Sequence, residues 1–372
     1  MGPFSNRPEV CSEPQRITSD RDDALGCAAL TRCWHIRTAR RLIAAALRGR
    51  RLRTMRNSSQ CGVMSEEFDV VVVGGGPAGL SAALSLVRAR RKVLVLDAGR
   101  PRNRFAAHMH GVLGHDGLSP RTLLAAGRDE ILGYGGEVRD AAVTGVTVMP
   151  GIRVSSSAGE VSARRLLVAT GLTDELLPIP GLRENWGTAV VVCPYCDAWE
   201  RRDRIIGVVA TSVDSVEQAQ TLRQWTDRVV YFANGFEVPN AETSRRLRVR
   251  GIRIVHAPVV RLTMRSDQEV RLHLADGADV GVGAVFTGTT MRPNDDLLRA
   301  LGARTTIDRT SEWIAVDSDG RTSVRGVWAV GNVVDPRSNV SVSLGAGSLI
   351  AGAMNADMVA EDIDAAAAEA RE

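Results

Sequence analysis

Long apolar runs are missing from this chain of 372 residues, and lysine is nearly missing. No stretch of about 18 consecutive apolar residues occurs, so we expect no transmembrane helix and no membrane partner. Lys92 is the only lysine among 47 basic residues. With 44% apolar residues and a mean hydropathy of −0.06, the chain has enough apolar material for two or three domains with cores of their own.

Cysteine is also scarce, and it is unevenly placed. Four of the six cysteines precede residue 64, which leaves only Cys193 and Cys196 in the remainder of the chain. A body of more than 300 residues with two cysteines is not a secreted domain stapled by disulfides. We therefore expect the protein in a reducing cytoplasm.

Residues 1–63 differ in character from the remainder of the chain. They hold 12 arginines and 5 acidic residues, a formal charge of +7, whereas the remainder has 35 basic and 38 acidic residues, a charge of −3. The Arg-rich segment 37–56 is compatible with an amphipathic surface helix or a targeting peptide. We favour a true start at Met64, which leaves residues 1–63 as a spurious or disordered leader. The nearly neutral body gives no electrostatic case for nucleic acid binding.

A glycine-rich turn lies between two predicted strands near the start of the body. The apolar run 68–73 predicts a strand, 77–89 a helix and 92–96 a second strand, which together make a βαβ unit. The turn fits G-x-G-x-x-G, and an acidic residue ends the second strand, where it can bind ribose hydroxyls. The phosphates would lie at the helix N-terminus. The sequence thus predicts a dinucleotide site at Gly74, Gly76, Pro77, Ala78, Gly79 and Asp97.

A second motif is the pair of cysteines in Cys193-Pro194-Tyr195-Cys196-Asp197. Two thiols separated by two residues close a small ring with little loss of loop entropy, so they can alternate between dithiol and disulfide. Asp197 can carry the proton that thiol chemistry needs. Half of a zinc site and two structural thiols are the alternatives, but no second cysteine pair or histidine partner follows at a suitable spacing. We therefore expect no metal.

These motifs resemble those of the low-molecular-weight thioredoxin reductase family over about residues 66–365. Residues 169–171 match the family's Ala-Thr-Gly strand end near FAD, and 322–332 resemble its second flavin motif. The family ends that motif in Gly-Asp, whose Asp contacts the ribityl chain; here Asn332 keeps hydrogen bonding without the charge. The resemblance implies FAD contacts from Ala169, Thr170, Gly171, Gly331, Asn332 and Val340.

The same resemblance assigns roles to the cysteine motif. It implies that Cys196 faces the flavin and accepts its electrons, that Cys193 exchanges with an outside disulfide, and that Asp197 is the general acid and base. Pro194 and Tyr195 depart from the small residues common in bacterial thioredoxin reductases. A bulky pair there indicates a different substrate, such as a small dithiol.

Three histidines lie in the stretch after the first βαβ unit. Residues 103–116 resemble the matching stretch of gliotoxin- and holomycin-type dithiol oxidases of the same superfamily. A histidine there can act as a base toward a dithiol, and His110 is the first candidate, ahead of His108 and His115. The alternative is that all three are surface or structural residues.

The family's second nucleotide loop, for NADPH, is altered. After the strand at 205–209, Ala210 and Ser212 replace glycines, and their Cβ atoms would hinder the approach of a pyrophosphate. No arginine follows the next strand, where the chain reads Ala233-Asn234-Gly235. We therefore do not expect tight NADPH binding by the family's contacts, and NAD(P)H stays open as a donor.

The fold expected from the resemblance is α/β, with two Rossmann-like domains and a homodimeric assembly. A discontinuous FAD domain, residues 66–182 and 291–365, holds an inserted central domain, residues 183–290, which carries the cysteines. The function expected is that of an FAD-dependent thiol-disulfide oxidoreductase acting on a thioredoxin-like protein or a small disulfide or dithiol. The alternative is a dithiol oxidase that uses oxygen instead of NADPH. A flavin-binding redox sensor is disfavoured, because the whole cysteine motif is retained.

Overall fold

The computed structural model describes residues 66–236, 240–266, 269–308 and 311–371; the predictions for residues 1–63 lie outside them. The strands are β1 (Glu66–Val73), β2 (Val93–Asp97), β3 (Glu137–Asp140), β4 (Val143–Thr147), β5 (Ile152–Ser156), β6 (Gly159–Val168), β7 (Leu172–Glu175), β8 (Val190–Val191), β9 (Ile206–Val209), β10 (Val229–Phe232), β11 (Arg253–Val255), β12 (Val259–Ser266), β13 (Glu269–Leu274), β14 (Asp279–Val282), β15 (Ala284–Thr287), β16 (Thr290–Pro293), β17 (Thr305–Asp308), β18 (Ser311–Ile314) and β19 (Val327–Ala329). The helices are α1 (Pro77–Arg88), α2 (Pro120–Gly133), α3 (Pro194–Asp197), α4 (Ser215–Leu222), α5 (Ala241–Val249), α6 (Asp296–Ala300) and α7 (Val340–Glu369), with 3₁₀ turns at Trp199–Arg201 and Gly331–Val333.

The first sheet has the order β3-β2-β1-β6-β5-β4, and β19 pairs with β6. Strand β1 is apolar and buried from Val70 to Val73, and it pairs in parallel with both β2 and β6. Pro77 starts α1 at a position where a missing N–H costs nothing. The predicted strand–helix–strand unit is confirmed.

Helices cover one face of the first sheet. Leu86 of α1 and Met354 of α7 are fully buried in the same apolar cluster as Trp328 of β19. The other face buries Leu94 and Leu166 in a separate cluster. Both faces of the parallel strands are thus covered, as such sheets require.

The second sheet is parallel throughout, with the order β11-β10-β9-β15-β8. The antiparallel strands β12, β13 and β14 pack against it through one apolar cluster. Strand β19 comes after the second sheet in the chain, yet it pairs with β6 of the first sheet. The first Rossmann-like domain is therefore discontinuous and the second is inserted into it, as expected from the resemblance. The two connections between the domains run side by side as the antiparallel pair β7 and β16.

Helix α7 has the length and composition of a membrane-crossing helix, with a mean hydropathy of 1.2 over its most apolar window. Continuous apolar runs in the sequence do not reveal it, because small residues such as Gly and Ser interrupt the helix. One face of α7 packs on α1, where Gly347 lies so close to Ala78 that a Cβ would come within 2.2 Å of its carbonyl oxygen. In the fold, α7 therefore acts as a core helix of the first domain.

Candidate active site

A single cavity of about 680 Å³ extends between the two domains. It is lined by fifteen of the sixteen residues that the sequence singles out for catalysis or cofactor binding; Gly79 is the exception. Residues far apart in the chain, such as Asp97 after β2 and Asp197 beside the cysteines, therefore share one space, because both domains contribute to its wall. A volume of this size lies within the range of cofactor pockets, roughly 300–1,000 Å³.

The glycine turn lines this cavity at the N-terminus of α1. Gly74 has a φ of +110°, and a Cβ there would lie 2.4 Å from the Ala169 carbonyl oxygen. A Cβ on Gly79 would lie 2.0 Å from the Gly74 oxygen, so Gly79 acts in helix–strand packing and not in lining. A Cβ on Gly76 would meet no atom within 4 Å, since this residue faces the cavity. The turn therefore fits a bound pyrophosphate.

Asp97 ends β2 beside the glycine turn, as predicted. Its carboxylate accepts a hydrogen bond from the Gly99 amide at 3.1 Å and pairs with Arg128 of α2. Arg128 also pairs with Asp140 at 2.8 Å. The carboxylate is thus held in place at the wall of the cavity, and its role toward a ribose stays a prediction. Arg128 was missed by the sequence analysis, because an arginine on a helix surface carries no local signal.

Asn332 lines the cavity from the loop that begins at Gly331. Its side-chain amide nitrogen donates to the carbonyls of Asp335, at 3.0 Å, and Ser338, at 2.9 Å. Its oxygen accepts from Arg102 Nη1 at 3.4 Å, and Arg102 forms a two-pronged pair with buried Asp174 at 2.7 and 2.8 Å. The amide nitrogen is therefore used within its own loop, and the oxygen is the polar atom that Asn332 presents. Arg102 and Asp174 both line the cavity and were not predicted.

The two cysteines form a disulfide at the wall of the cavity, with their Cα atoms 5.3 Å apart. Cys193 caps the short helix α3, and its sulfur accepts from the Cys196 amide at 3.2 Å. Pro194 takes the first helical position, which suits its fixed φ. Both cysteines are partly exposed, so the pair faces the cofactor space and stays accessible.

Asp197 directly follows the disulfide in the chain, and its side chain is 27% exposed. Burial raises the pKa of this carboxyl above its usual range; Arg201, 3.5 Å away, opposes the rise and Glu200 adds to it. Arg201 also donates to the Asp197 backbone carbonyl at 2.7 Å. A carboxyl with a raised pKa takes up and releases a proton closer to neutral pH, which suits a proton carrier for thiol exchange.

The three histidines have different surroundings. His110 lines the cavity, with Nδ1 3.3 Å from Asp116 and Nε2 3.5 Å from Glu200. His108 also lines the cavity, and its Nδ1 lies 2.9 Å from the Gly117 carbonyl oxygen. His115 is exposed and does not line the cavity. The ranking of His110 ahead of the others therefore agrees with its position, although its base role stays a prediction.

In the second domain, the turn after β9 satisfies its own amide groups. The amides of Thr211 and Ser212 donate to the Ser215 hydroxyl at 3.0 and 3.4 Å. After β10, Asn234 donates to the Ala210 carbonyl at 3.3 Å and accepts from the Val259 amide at 3.0 Å. The two amides of this turn and the side chain of Asn234 thus already have hydrogen-bond partners within the protein.

Comparison with known proteins agrees with this geometry. A family model described as pyridine nucleotide-disulphide oxidoreductase matches residues 68–358. The chain belongs to this family. It is an FAD-dependent oxidoreductase of the thioredoxin reductase type, and the glycine turn, Asp97 and the Gly331 loop fit that cofactor.

Individual relatives of this oxidoreductase cover most of its length. Thioredoxin reductase tcpT of Claviceps purpurea is 30% identical, over 81% of this chain and 97% of the relative. The crystal structure of HlmI is 44% identical, with a TM-score of 0.78 over 82% of this chain and 96% of that one. An oxidoreductase of Agrobacterium tumefaciens is 35% identical, with a TM-score of 0.74 over 79% and 99%.

Proposed function

We propose that this oxidoreductase converts a small dithiol to its disulfide through Cys193 and Cys196, with FAD and then oxygen as the electron acceptors. The observation that carries the proposal is the contrast between the two nucleotide sites. The first site opens onto the cavity that holds the disulfide, whereas the amides at the second are satisfied by Ser215. A pyrophosphate there would have to take these two amide donors from the Ser215 hydroxyl, so its binding would exchange existing hydrogen bonds and not fill vacant ones.

The proposed exchange takes place at the two sulfur atoms. A thiolate of the substrate attacks Cys193, the Cys193–Cys196 bond breaks, and a mixed disulfide forms. The second substrate thiolate then attacks the substrate sulfur, which closes the substrate disulfide and releases Cys193. Two electrons and two protons have passed from the substrate to the enzyme dithiol. FAD held by the glycine turn, Asp97 and the Gly331 loop would supply a two-electron acceptor for this dithiol, with oxygen as the final acceptor, reduced to hydrogen peroxide.

The chain supplies the proton handling for this exchange. Asp197, whose pKa is raised by burial, holds the proton of the exchanging thiol and returns it when the thiolate leaves. Arg201 donates to the Asp197 backbone carbonyl and limits the increase in the pKa of the Asp197 carboxyl. We keep His110 as a further candidate for deprotonating the substrate, since it lines the same cavity.

The surroundings of the disulfide support a small substrate. Tyr195, between the two cysteines, is 79% exposed, and its ring meets Trp225 edge-on at 5.8 Å between centroids. A bulky aromatic ring fixed inside the redox loop narrows the approach to the sulfur atoms. A small dithiol passes such an obstacle more easily than the disulfide of a folded protein does.

Anaerobic mixing tests the proposal. We expect excess NADPH or NADH to leave the visible absorbance of the flavin unchanged, and a small dithiol such as dithiothreitol to bleach it. Under air, the same dithiol should then consume oxygen and release one hydrogen peroxide per disulfide formed. Fast bleaching by NADPH would replace the proposal with the second candidate, a thioredoxin-type disulfide reductase, which the names of the relatives favour.

We also propose a cytoplasmic homodimer. Val342, Leu349 and Ile363 are 48%, 69% and 62% exposed, and their spacing of seven and fourteen residues places them on one face of α7. A second copy covering this face would remove apolar surface from water. Sedimentation of the wild type and of Leu349→Glu should give a dimer and a monomer, respectively.

A further inference from the structure

Glu200 is a charged residue beside the redox centre that the proposed exchange does not use. It lies in the 3₁₀ turn that follows Asp197, and its side chain is 39% exposed. Its oxygen lies 3.5 Å from Nε2 of His110, which belongs to the other domain. The pair therefore connects the segment that carries the disulfide to the loop that borders the flavin cavity.

That loop, residues 103–116, is fixed to its surroundings on several sides. The Ser341 hydroxyl at the start of α7 donates to the Gly111 carbonyl at 3.1 Å. Phe105 lies so close to Gly187 that a Cβ on the glycine would come within 2.6 Å. The Gly111 amide donates to Asp116 at 2.8 Å. His110 is thus presented to the second domain from a held loop, which makes its contact with Glu200 a defined one.

We propose that Glu200 is a positioning residue that acts through His110 and holds the cysteine segment against the flavin cavity during turnover. The two ring nitrogens of His110 face different partners, Asp116 of its own loop at 3.3 Å and Glu200 of the cysteine segment at 3.5 Å. The imidazole therefore lies between the two domains, and Glu200 is its partner on the second one.

Several charged groups surround His110. Asp116 of its own loop, Glu200 of the 3₁₀ turn and Asp197 of α3 all act on it, and Arg201 lies beside Asp197. Replacing Glu200 by glutamine removes one negative charge from the cysteine segment and leaves the other charged groups in place. The substitution therefore tests the contact between the two domains directly.

The role of Glu200 in turnover rests on the proposed function, because it depends on which molecule donates the electrons. Where a dithiol is the electron donor, substrate and flavin both meet the disulfide at this cavity, so a contact that keeps the segment in place assists turnover. Where NADPH is the donor, the second domain has to present its own site to the flavin, and the same contact would slow turnover.

The test compares Glu200→Gln with Glu217→Gln, an exposed glutamate on α4 of the same domain, in the FAD-loaded enzyme. Hydrogen exchange of peptides covering 103–116 and 193–201 is measured at one pH for all three proteins. We expect both peptides to exchange faster in Glu200→Gln than in the wild type and in Glu217→Gln, which should exchange alike. In Glu200→Gln, kcat for dithiothreitol should fall about fivefold with KM within twofold.

His110→Gln changes the other partner of the contact and serves as a second test if Glu200→Gln folds poorly. It should show the same faster hydrogen exchange of the two peptides. Protection from hydrogen exchange that is equal in Glu200→Gln and Glu217→Gln would overturn the inference. Bleaching by NADPH would overturn the proposed function but would leave this exchange result unaffected, so the two failures can be told apart. A kcat that rises in Glu200→Gln would also refute the positioning role.

Discussion

Replacing the glycines of the first nucleotide turn separates cofactor binding from folding. In Gly76→Ala, the new Cβ meets no protein atom within 4 Å, and the backbone, with φ −78° and ψ −179°, is one that alanine adopts readily. We therefore expect the free energy of unfolding of the FAD-free protein to change by no more than about 0.5 kcal/mol. Because the Cβ projects into the cavity, FAD affinity should fall at least about tenfold, or about 1.4 kcal/mol.

Gly79→Ala is the matched variant with the opposite expectation. Its Cβ would lie 2.0 Å from the Gly74 carbonyl oxygen, a backbone atom that has to move by about an ångström or more to make room. Overpacking of this kind costs about 1–3 kcal/mol or more, so this variant should lose stability with or without FAD. Thermal unfolding of the FAD-free proteins and titration with FAD measure both effects.

The refuting results come from the same geometry. If Gly76→Ala binds FAD as tightly as the wild type, the cofactor's phosphates do not approach this turn, and the site assignment is wrong. If Gly79→Ala is as stable as the wild type, the close contact between α1 and the glycine turn after β1 is not a constraint on the fold.

Two further predictions concern the redox segment. Cys196→Ser should abolish electron transfer between flavin and disulfide, seen as loss of dithiol turnover with FAD still bound; full turnover would show that Cys196 does not have its assigned role. Asp197→Asn should lower turnover yet stabilise the fold at neutral pH. Burial raises the pKa of Asp197, so the folded state binds the proton more tightly than the unfolded one, and wild-type stability falls as pH rises from about 4 through the raised pKa. The thermal midpoint of Asp197→Asn should therefore rise above that of the wild type as the pH increases from 4 to 8. A constant difference between the two midpoints would contradict the burial argument.

The sequence predicted those parts of the site that a short stretch of chain forms by itself. The glycine turn is one, since a tight turn into a helix depends on residues 74–79 and the strand before them. The cysteine pair is another, because two cysteines with two residues between them can close a disulfide ring without help from the rest of the chain. Asp97 was found for a similar reason, because it ends a buried strand next to the glycine turn. Residues 169–171 were found through the resemblance to the family's Ala-Thr-Gly motif.

Contacts between distant segments were not predictable in this way. Glu200 gave no signal beyond its closeness to the cysteine motif, and its partner His110 comes from the other domain. Arg102 and Asp174 meet only because the loop after β2 and the start of the connection between the domains are packed together. The sequence shows that glycines are missing after β9. It does not show that the Ser215 hydroxyl accepts hydrogen bonds from the amides of that turn.

The sequence by itself thus determined the family, the cofactor turn and the redox pair, because each depends on residue types at short, fixed spacings. Only the tertiary structure decided what faces the disulfide, which carboxylates surround His110 and how the second nucleotide turn is filled. Those features depend on distances between atoms far apart in the chain, and packing of the two Rossmann-like domains sets them.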